Sequence, residues 1–296
     1  MERFLQAIVQ GLTSGGVYAL IALAFSIIYM TTRTINFAQG EVLMLGAYIY
    51  FAAFTKSGLG LPWPVALLVA LFGAMLVGLL VHLISIAPLG KFDPNTNIGW
   101  ILTTLSVSLI LVEVMRNIAG EQAKRIDPIV TSFFGKKTIF SIEPKQYLIL
   151  IVGVVLALVL EVLHSKTQLG RALRATAHDK ATASLMGINT GFMVRYSFAV
   201  AGVLAGIGGW LLAPVIFVDP NMGTLVGLTA FVAAVVGGIG STKGALVGGL
   251  TIGIVESLAK WAGAGEWSTA MVFMTLILIL VLKPTGILGE ALIEKV

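Results

Sequence analysis

Apolar residues fill most of the chain in long runs, and this limits it to folds that suit a lipid bilayer. At least seven runs have about 18 or more residues, enough for a helix to cross a hydrocarbon core of about 30 Å. Spanning segments of this length are helical because the backbone must satisfy its own hydrogen bonds in lipid. Of 296 residues, 57% are hydrophobic and 11% charged, which leaves no room for a separate soluble domain. We therefore predict an all-α, polytopic integral membrane protein with one domain over residues 1–296.

Hydropathy and helix-breaking residues divide this domain into candidate spans and two loosely similar halves, at about 1–118 and 146–296. The first apolar run is too long for a signal-peptide core of about 7–15 residues, so we interpret it as a membrane helix. The segments 222–240 and 244–261 are separated by so few residues that they could be shorter broken or re-entrant segments. We expect about eight or nine transmembrane helices. The candidate spans are 5–29, 38–55, 62–86, 98–117, 146–163, 191–213, 222–240, 244–261 and 268–283.

The residues that support catalysis or metal binding are scarce. The chain has no cysteine and only three histidines, which are scattered, so we predict no metal site. No metalloprotease or serine-hydrolase motif occurs, and we predict neither an enzyme nor a bound cofactor. The net charge of +5 comes from basic residues in loops between spans, which are typical of lipid headgroup contacts rather than of nucleic-acid binding.

The stretch "GGIGSTKGALVGG" (237–249) resembles a phosphate-binding loop only superficially. A Walker A motif needs Gly directly before its lysine and Ser or Thr directly after it, whereas Lys243 stands between Thr242 and Gly244. Its glycines recur at a spacing of four, as do Gly202 and Gly206. Such spacing lets helix backbones approach closely in lipid, so it predicts tight packing rather than ligand binding.

The stretch "TINFAQGE" (34–41) places two amides and a carboxylate between two apolar runs. One interpretation is structural: Thr34 or Asn36 caps a helix that begins near Ala38, with Glu41 in its first turn. The other is functional, because helices that begin at membrane depth are tolerated beside a water-filled cavity. In that case Asn36, Gln39 and Glu41 line a solute path. The turn "VDPNMG" (218–223) also precedes an apolar helix, which makes Asp219 and Asn221 the matching candidates in the second half.

Two hydrophilic loops separate the spans. The loop at 119–145 contains prolines and short β-prone pieces, which favours an irregular or hairpin-like structure. The loop at 164–190 contains no proline, has Leu or Ala at every fourth position and ends at Gly187, so we predict an amphipathic helix. Such a helix can lie on a membrane or dock into a groove on a partner protein.

No acidic or basic residue falls clearly at mid-bilayer, where ion-coupled transporters keep their relays, so we expect the driving energy to come from elsewhere. Two alternatives remain open: a self-sufficient secondary transporter or channel, and a structural or lipid-interacting membrane protein.

Several motifs, in the same order, resemble the permease subunits of branched-chain amino acid ATP-binding-cassette importers, which are distantly related to ribose-type sugar permeases. The likeness covers nearly the whole chain. It rests on "GLTSGGVYALIALAFSIIY" (11–29), "INFAQGE" (35–41), "GRALRATAHDKATASLMGIN" (170–189), "GGIGSTKGALVGG" (237–249) and "KPTGILG" (283–289).

The resemblance implies a permease for branched-chain or related neutral amino acids, with urea and short amides as the alternative solutes. It implies a second permease subunit in a heterodimer, two cytoplasmic ATP-binding subunits that hydrolyse ATP, an extracytoplasmic solute-binding protein, and a multi-pass location in a bacterial inner membrane. It also makes the helix around Arg171 to Gly187 the coupling helix, although the acidic residue of the "EAA-x-x-x-G" pattern is absent. The coupling candidates are Arg171, Leu173, Arg174, His178, Asp179, Leu185 and Gly187.

Overall fold

The computed structural model describes residues 2–56, 58–90, 98–126 and 144–289. Within these ranges the structure is helical. The helices are α1 (Glu2–Thr32), α2 (Gln39–Phe54), α3 (Trp63–Val81), α4 (Gly99–Ala119), α5 (Pro144–Lys166), α6 (Gln168–His178), α7 (Lys180–Leu185), α8 (Thr190–Ile216), α9 (Met222–Gly237), α10 (Thr242–Trp261) and α11 (Ser268–Leu282).

The all-helical prediction is confirmed. Six helical segments of the described residues are long and apolar enough to cross a membrane: Arg3–Thr32, Trp63–Leu89, Gly99–Ala119, Gln146–His164, Thr190–Ile216 and Gly265–Leu282. Helix α2 has 16 residues, and so does α9, which makes both short for a complete crossing.

Helix α1 forms the centre of the fold and packs against α5, α8, α9 and α10. The tightest of these contacts is with α10, where Gly249 and Gly253 lie directly against the α1 backbone. Gly202 and Gly206 of α8 likewise lie against α3 near Ala74. The glycine spacing therefore marks close helix packing, as the sequence predicted. The stretch 237–249, which only superficially resembles a phosphate-binding loop, also has a structural role. Its Ser241 caps α10 by accepting a hydrogen bond from the Gly244 amide at 3.0 Å.

The two short helices, α2 and α9, contact each other where each begins. Gly40 of α2 faces Gly223 and Gly227 of α9 with no space for a side chain between the backbones. The polar turns at 34–41 and 218–223, which resemble each other in sequence, thus lead into two helices that pack together. This contact lies in the interior, beside α1 and α8.

The loop after α4 is tied to the end of α8 by an isolated antiparallel bridge between Lys124 and Val218. The Lys124 ammonium lies over the rings of Tyr48 and Phe51 of α2, at 5.7 and 5.3 Å from their centroids. The predicted hairpin-like structure falls mainly on residues 127–143, which lie outside the described residues.

The predicted single amphipathic helix after α5 is wrong in one respect, because the chain forms two helices there. Asp179 has an extended backbone (φ −154°, ψ 113°), which ends α6 and starts α7. The predicted stop at Gly187 is confirmed: its φ is +82°, its amide donates to Ser184 O at 3.0 Å, and the Ile188 amide donates to Ala183 O at 3.1 Å. These two bonds form a Schellman motif.

Candidate solute path and coupling segment

The turn between α1 and α2 is held by the side chains of Asn36 and Gln39. Asn36 Oδ1 accepts a hydrogen bond from the Ala38 amide at 3.2 Å, and Asn36 Nδ2 donates to Gln39 Oε1 at 3.2 Å. Gln39 Nε2 then donates to Ala201 O of α8 at 2.9 Å. Each of the two side chains is 1% exposed. The amides therefore join the turn to the middle of a neighbouring helix.

Neither sequence interpretation anticipated this arrangement. The Asn36 bond closes the turn just before α2, and the helix itself has no side-chain cap at Ala38. Thr34 donates instead to Thr32 Oγ1 at 2.8 Å. Since the amides of Asn36 and Gln39 bond to each other and to α8, they are enclosed by the packed interior of this chain. Their role in a solute path stays a prediction.

Glu41 lies in the first turn of α2 and faces a cavity of about 90 Å³. Its Oε1 accepts a hydrogen bond from Thr224 Oγ1 of α9 at 2.9 Å, and Ser108 of α4 lines the cavity next to it. Among the described residues Glu41 Oε2 has no hydrogen-bond partner, although Glu41 is 1% exposed. The first turns of the two short helices thus share a polar contact at the edge of a partly open cavity.

Aromatic rings form much of the remaining cavity wall. Phe231 of α9 packs against Phe25 of α1 and against Phe37 of the turn, with ring centroids 5.9 and 5.8 Å apart. Phe37 also stacks on Trp100 at 6.5 Å. The cavity therefore combines one carboxylate and two hydroxyl-bearing residues with an apolar, aromatic surface.

Asp219 and Asn221 lie in the turn before α9. Asp219 Oδ1 accepts a hydrogen bond from the Asn221 amide at 2.8 Å, which closes the turn. The exposed Asn221 accepts a weak bond from Arg116 at the end of α4, at 3.4 Å. These two residues belong to the same end of the fold as Lys124, and their hydrogen bonds do not include the amides of the α1–α2 turn.

Replacing Gly40 by alanine should destabilise the chain, because the added Cβ would clash with Gly223 O and lie 2.9 Å from Gly227 Cα. Both neighbours are backbone, so one of the helices must shift, at a cost of about 1–3 kcal/mol. The matched control is Gly16→Ala, whose Cβ would lie 3.6 Å from Ile149 O in an ordinary contact. Thermal melting of the purified chain measures both. Equal melting temperatures would show that the α2–α9 contact is not tight.

The candidate coupling segment, which consists of α6 and α7, is anchored to the neighbouring helices at three points. Leu173 of α6 is completely buried. Arg174 donates to His164 O of α5, which fixes the turn between the two helices. Arg33, directly after α1, donates from Nη2 to Ala177 O at the C-terminal end of α6, at 2.7 Å. The segment is therefore held where α1 ends and the polar turn begins.

The far end of the candidate coupling segment is exposed. Leu185 is 88% exposed and Met186 is 78% exposed, so the tip of α7 presents apolar side chains outward. Asp179 starts α7 by accepting hydrogen bonds from the Ala181 amide at 2.8 Å and from Thr182 Oγ1 at 2.6 Å. The Thr182 bond is the main reason that the pKa of Asp179 is lowered, so this cap is charged at neutral pH and is lost only in acid. Arg171 and His178 are exposed on α6.

Sequence reasoning missed the residues that complete these sites: Arg33, Ser108 and Thr224. Arg33 stands immediately before the polar stretch, and its backbone has a φ of +57°, uncommon for a non-glycine residue. No local pattern shows that Ser108 and Thr224 face Glu41. The break at Asp179 had a readable signal, since Asp is a preferred N-cap residue.

The family described as "Branched-chain amino acid transport system / permease component" matches residues 7–282. Among curated proteins, the high-affinity branched-chain amino acid transport system permease protein BraD of Pseudomonas aeruginosa is 33% identical, over 99% of this chain and 98% of that protein. The corresponding permease protein LivH of Escherichia coli K12 is 34% identical, with the same coverage. A probable LivH of Methanocaldococcus jannaschii is 33% identical over 91% of this chain and 88% of that protein.

The fold is similar to that of a solved structure. A chain of PsaBC from Streptococcus pneumoniae, in complex with Fab, superimposes with a TM-score of 0.51. The superposition covers 95% of this chain and 92% of that one, at 16% sequence identity, which supports similarity of fold alone.

Proposed function

Because the chain belongs to the family of branched-chain amino acid transport permease components, we propose that it carries branched-chain or related neutral amino acids along a path beside the α2–α9 contact. The chain is a multi-pass membrane protein and a permease subunit of an ATP-binding-cassette importer, not an enzyme. Membership of this family implies partner ATPases and a solute-binding protein. The path residues in this proposal are Asn36, Gln39, Glu41, Asp219 and Asn221.

The assembly that we propose has two similar permease subunits in a heterodimer in the inner membrane of a bacterium. The outward faces of α4, α5 and α11 carry large exposed apolar side chains, such as Leu109, Ile151 and Val281, which suit lipid or a second permease. We further propose that α2, α9 and α10 also lie at membrane depth. Together with the six long apolar segments, this gives nine membrane-embedded helical segments among the described residues.

One observation carries the proposed path: Glu41 of α2 and Thr224 of α9 meet beside a partly open cavity, each in the first turn of a short helix. Helices that begin at membrane depth point polar groups and free backbone amides into a central region, as in transporters with repeated halves. A sparsely polar lining suits a neutral zwitterion, since it offers hydrogen bonds without holding the solute too tightly.

Energy reaches this region through the coupling segment. The exposed tip at Leu185 and Met186 would dock on an ATPase, and the movement would pass through α6 to Arg33. Arg33 is followed directly by the turn that holds Asn36 and Gln39. Residues 33–39 therefore form the physical link between the ATPase-facing segment and the solute path.

The transport proposal is tested by reconstituting the chain with its partner subunits in vesicles and measuring uptake of leucine, isoleucine, valine and urea. We expect uptake of the three amino acids that requires both ATP and the solute-binding protein. Uptake of urea alone would move the chain to the alternative solute class. Uptake without ATP would contradict the importer mechanism and favour a self-sufficient transporter.

Arg33→Ala should weaken coupling, because it removes the hydrogen bond to Ala177 O and the contact of the guanidinium with the Tyr29 ring. A charged hydrogen bond contributes about 1.5–3 kcal/mol, so solute-stimulated ATPase activity should fall by about tenfold or more. The matched control is Arg3→Ala, an exposed arginine on the same helix. Stimulation equal to that of the unmodified complex would exclude Arg33 from the coupling route.

A further inference from the structure

Glu41 is the one residue of the described cavity wall with an ionisable side chain, and its carboxyl group is incompletely paired. Its Oε1 accepts a hydrogen bond from Thr224 Oγ1 at 2.9 Å, whereas Oε2 has no hydrogen-bond partner among the described residues. None of the salt bridges in the described part of the chain includes Glu41. A buried carboxylate without a counterion is unfavourable, so this site gains stability from a cation or a strong hydrogen-bond donor.

The rings around the carboxylate suit a cation as well. Phe25, Phe37 and Phe231 line the same cavity, and the Phe231 ring packs against each of the other two with centroids 5.8–5.9 Å apart. Aromatic faces attract an ammonium group within about 6 Å, and they also provide apolar surface for an attached aliphatic chain. A carboxylate combined with aromatic faces is the group of partners that an alkylammonium prefers.

We propose that this cavity is a transient subsite for the primary ammonium group of the transported solute, with Glu41 as its anionic partner. The inference rests on the proposed function, because the ligand is the amino acid that the path carries. The cavity volume of about 90 Å³ exceeds the roughly 10–15 Å³ that one water needs, so an ammonium group and the carbons next to it fit. Glu41 would then distinguish amino acids from uncharged amides and from carboxylic acids without an amine.

A thiol placed in the cavity tests its charge preference without depending on transport. The chain has no cysteine, so Ser108→Cys adds a single reactive group in this subunit. The assembled transporter is treated with a cationic reagent, trimethylammonium-ethyl methanethiosulfonate, or with an anionic one, sulfonato-ethyl methanethiosulfonate. Labelling of this chain is then measured by mass spectrometry. After correction for reaction with a free thiol in solution, the cationic reagent should label about tenfold faster, since a nearby anion attracts it in a medium of low dielectric constant.

Variants of the carboxylate and of its hydrogen-bond partner separate charge from structure. In the Ser108→Cys background, Glu41→Gln keeps an acceptor for Thr224 but removes the charge, and it should bring the labelling ratio close to one. Thr224→Val removes the hydrogen bond but keeps the charge, so the preference for the cationic reagent should remain. If Ser108→Cys lowers assembly, Thr224→Cys with Glu41→Gln gives the same comparison from another wall of the cavity.

Competition identifies the group that is bound. Isopentylamine and isocaproate carry similar branched chains, but only the first has an amine, so isopentylamine and leucine should slow the labelling while isocaproate should not. Equal labelling by the two reagents, an unchanged ratio in Glu41→Gln, protection by isocaproate alone, or no labelling at all would each overturn the proposal.

Leucine uptake measured in parallel separates the subsite hypothesis from the transport hypothesis. ATP-dependent uptake without a charge preference rejects only the subsite, whereas a charge preference without any amino acid uptake rejects only the transport function.

Discussion

Gln39→Leu is expected to remove most transport and to destabilise the chain. The amide of Gln39 connects Asn36 in the α1–α2 turn to Ala201 O in α8, and all of these groups are buried. Leucine would leave two buried polar partners unsatisfied at about 1–3 kcal/mol each, so the free energy of unfolding should fall by about 2–4 kcal/mol. Uptake by the reconstituted complex should fall by about tenfold or more, since the turn would lose its position against α8.

The control for this change is Gln10→Leu, which makes the same substitution at an exposed position of α1. It should change the free energy of unfolding by no more than about 0.5 kcal/mol and leave uptake unaffected. A role of this stretch in capping alone would make Gln39→Leu nearly silent. Normal melting together with normal uptake in Gln39→Leu would therefore contradict the structure at this position.

Labelling of Gln39→Cys in the assembled complex distinguishes two roles of this position: an interhelical clamp, meaning a purely structural hydrogen-bonded link between the α1–α2 turn and α8, and a lining residue of the solute path. The position is 1% exposed, so a small water-soluble thiol reagent should not reach it at rest. If the path opens beside the turn during the cycle, labelling should begin when ATP and loaded binding protein are present. A cysteine that stays unlabelled in every state would leave the clamp as the role of Gln39.

Gly187→Pro is expected to uncouple transport from ATP hydrolysis. Gly187 has a φ of +82°, and its amide donates to Ser184 O at 3.0 Å. Proline fixes φ near −65° and has no amide hydrogen, so the Schellman motif cannot form and the tip at Leu185 and Met186 must take a new position. Stimulation of ATPase activity by loaded binding protein should fall by about tenfold, within the range of typical coupling energies.

Gly187→Asn is the matched control, because asparagine tolerates a positive φ and keeps the amide donor. Its stimulation should stay close to that of the unmodified complex. Arg174→Glu, which removes the bond to His164 O by a different route, should uncouple in the same direction as Gly187→Pro. If both of these variants respond normally, the segment from α6 to α7 is not the coupling element.

Local patterns predicted the features that depend on local physics. Long apolar runs indicated membrane helices because lipid requires every backbone group to be bonded within its own segment. The stop at Gly187 was predictable because glycine adopts a positive φ at little cost. Glycines spaced by four predicted close packing, which Gly249 and Gly253 show against α1. The break at Asp179 was missed because the stripe of apolar residues continues on both sides of it.

The sequence by itself thus determined the membrane class, the places where polar turns interrupt apolar helices, and the family through the order of its motifs. Only the tertiary structure decided what those turns do: Gln39 reaches Ala201, Glu41 meets Thr224 across a cavity, and Arg33 holds the end of α6. The physical reason is one of range. Hydropathy and backbone preference act within a few residues, whereas these contacts join positions 144 to 183 residues apart, and the register that brings them together is set by packing along whole helices.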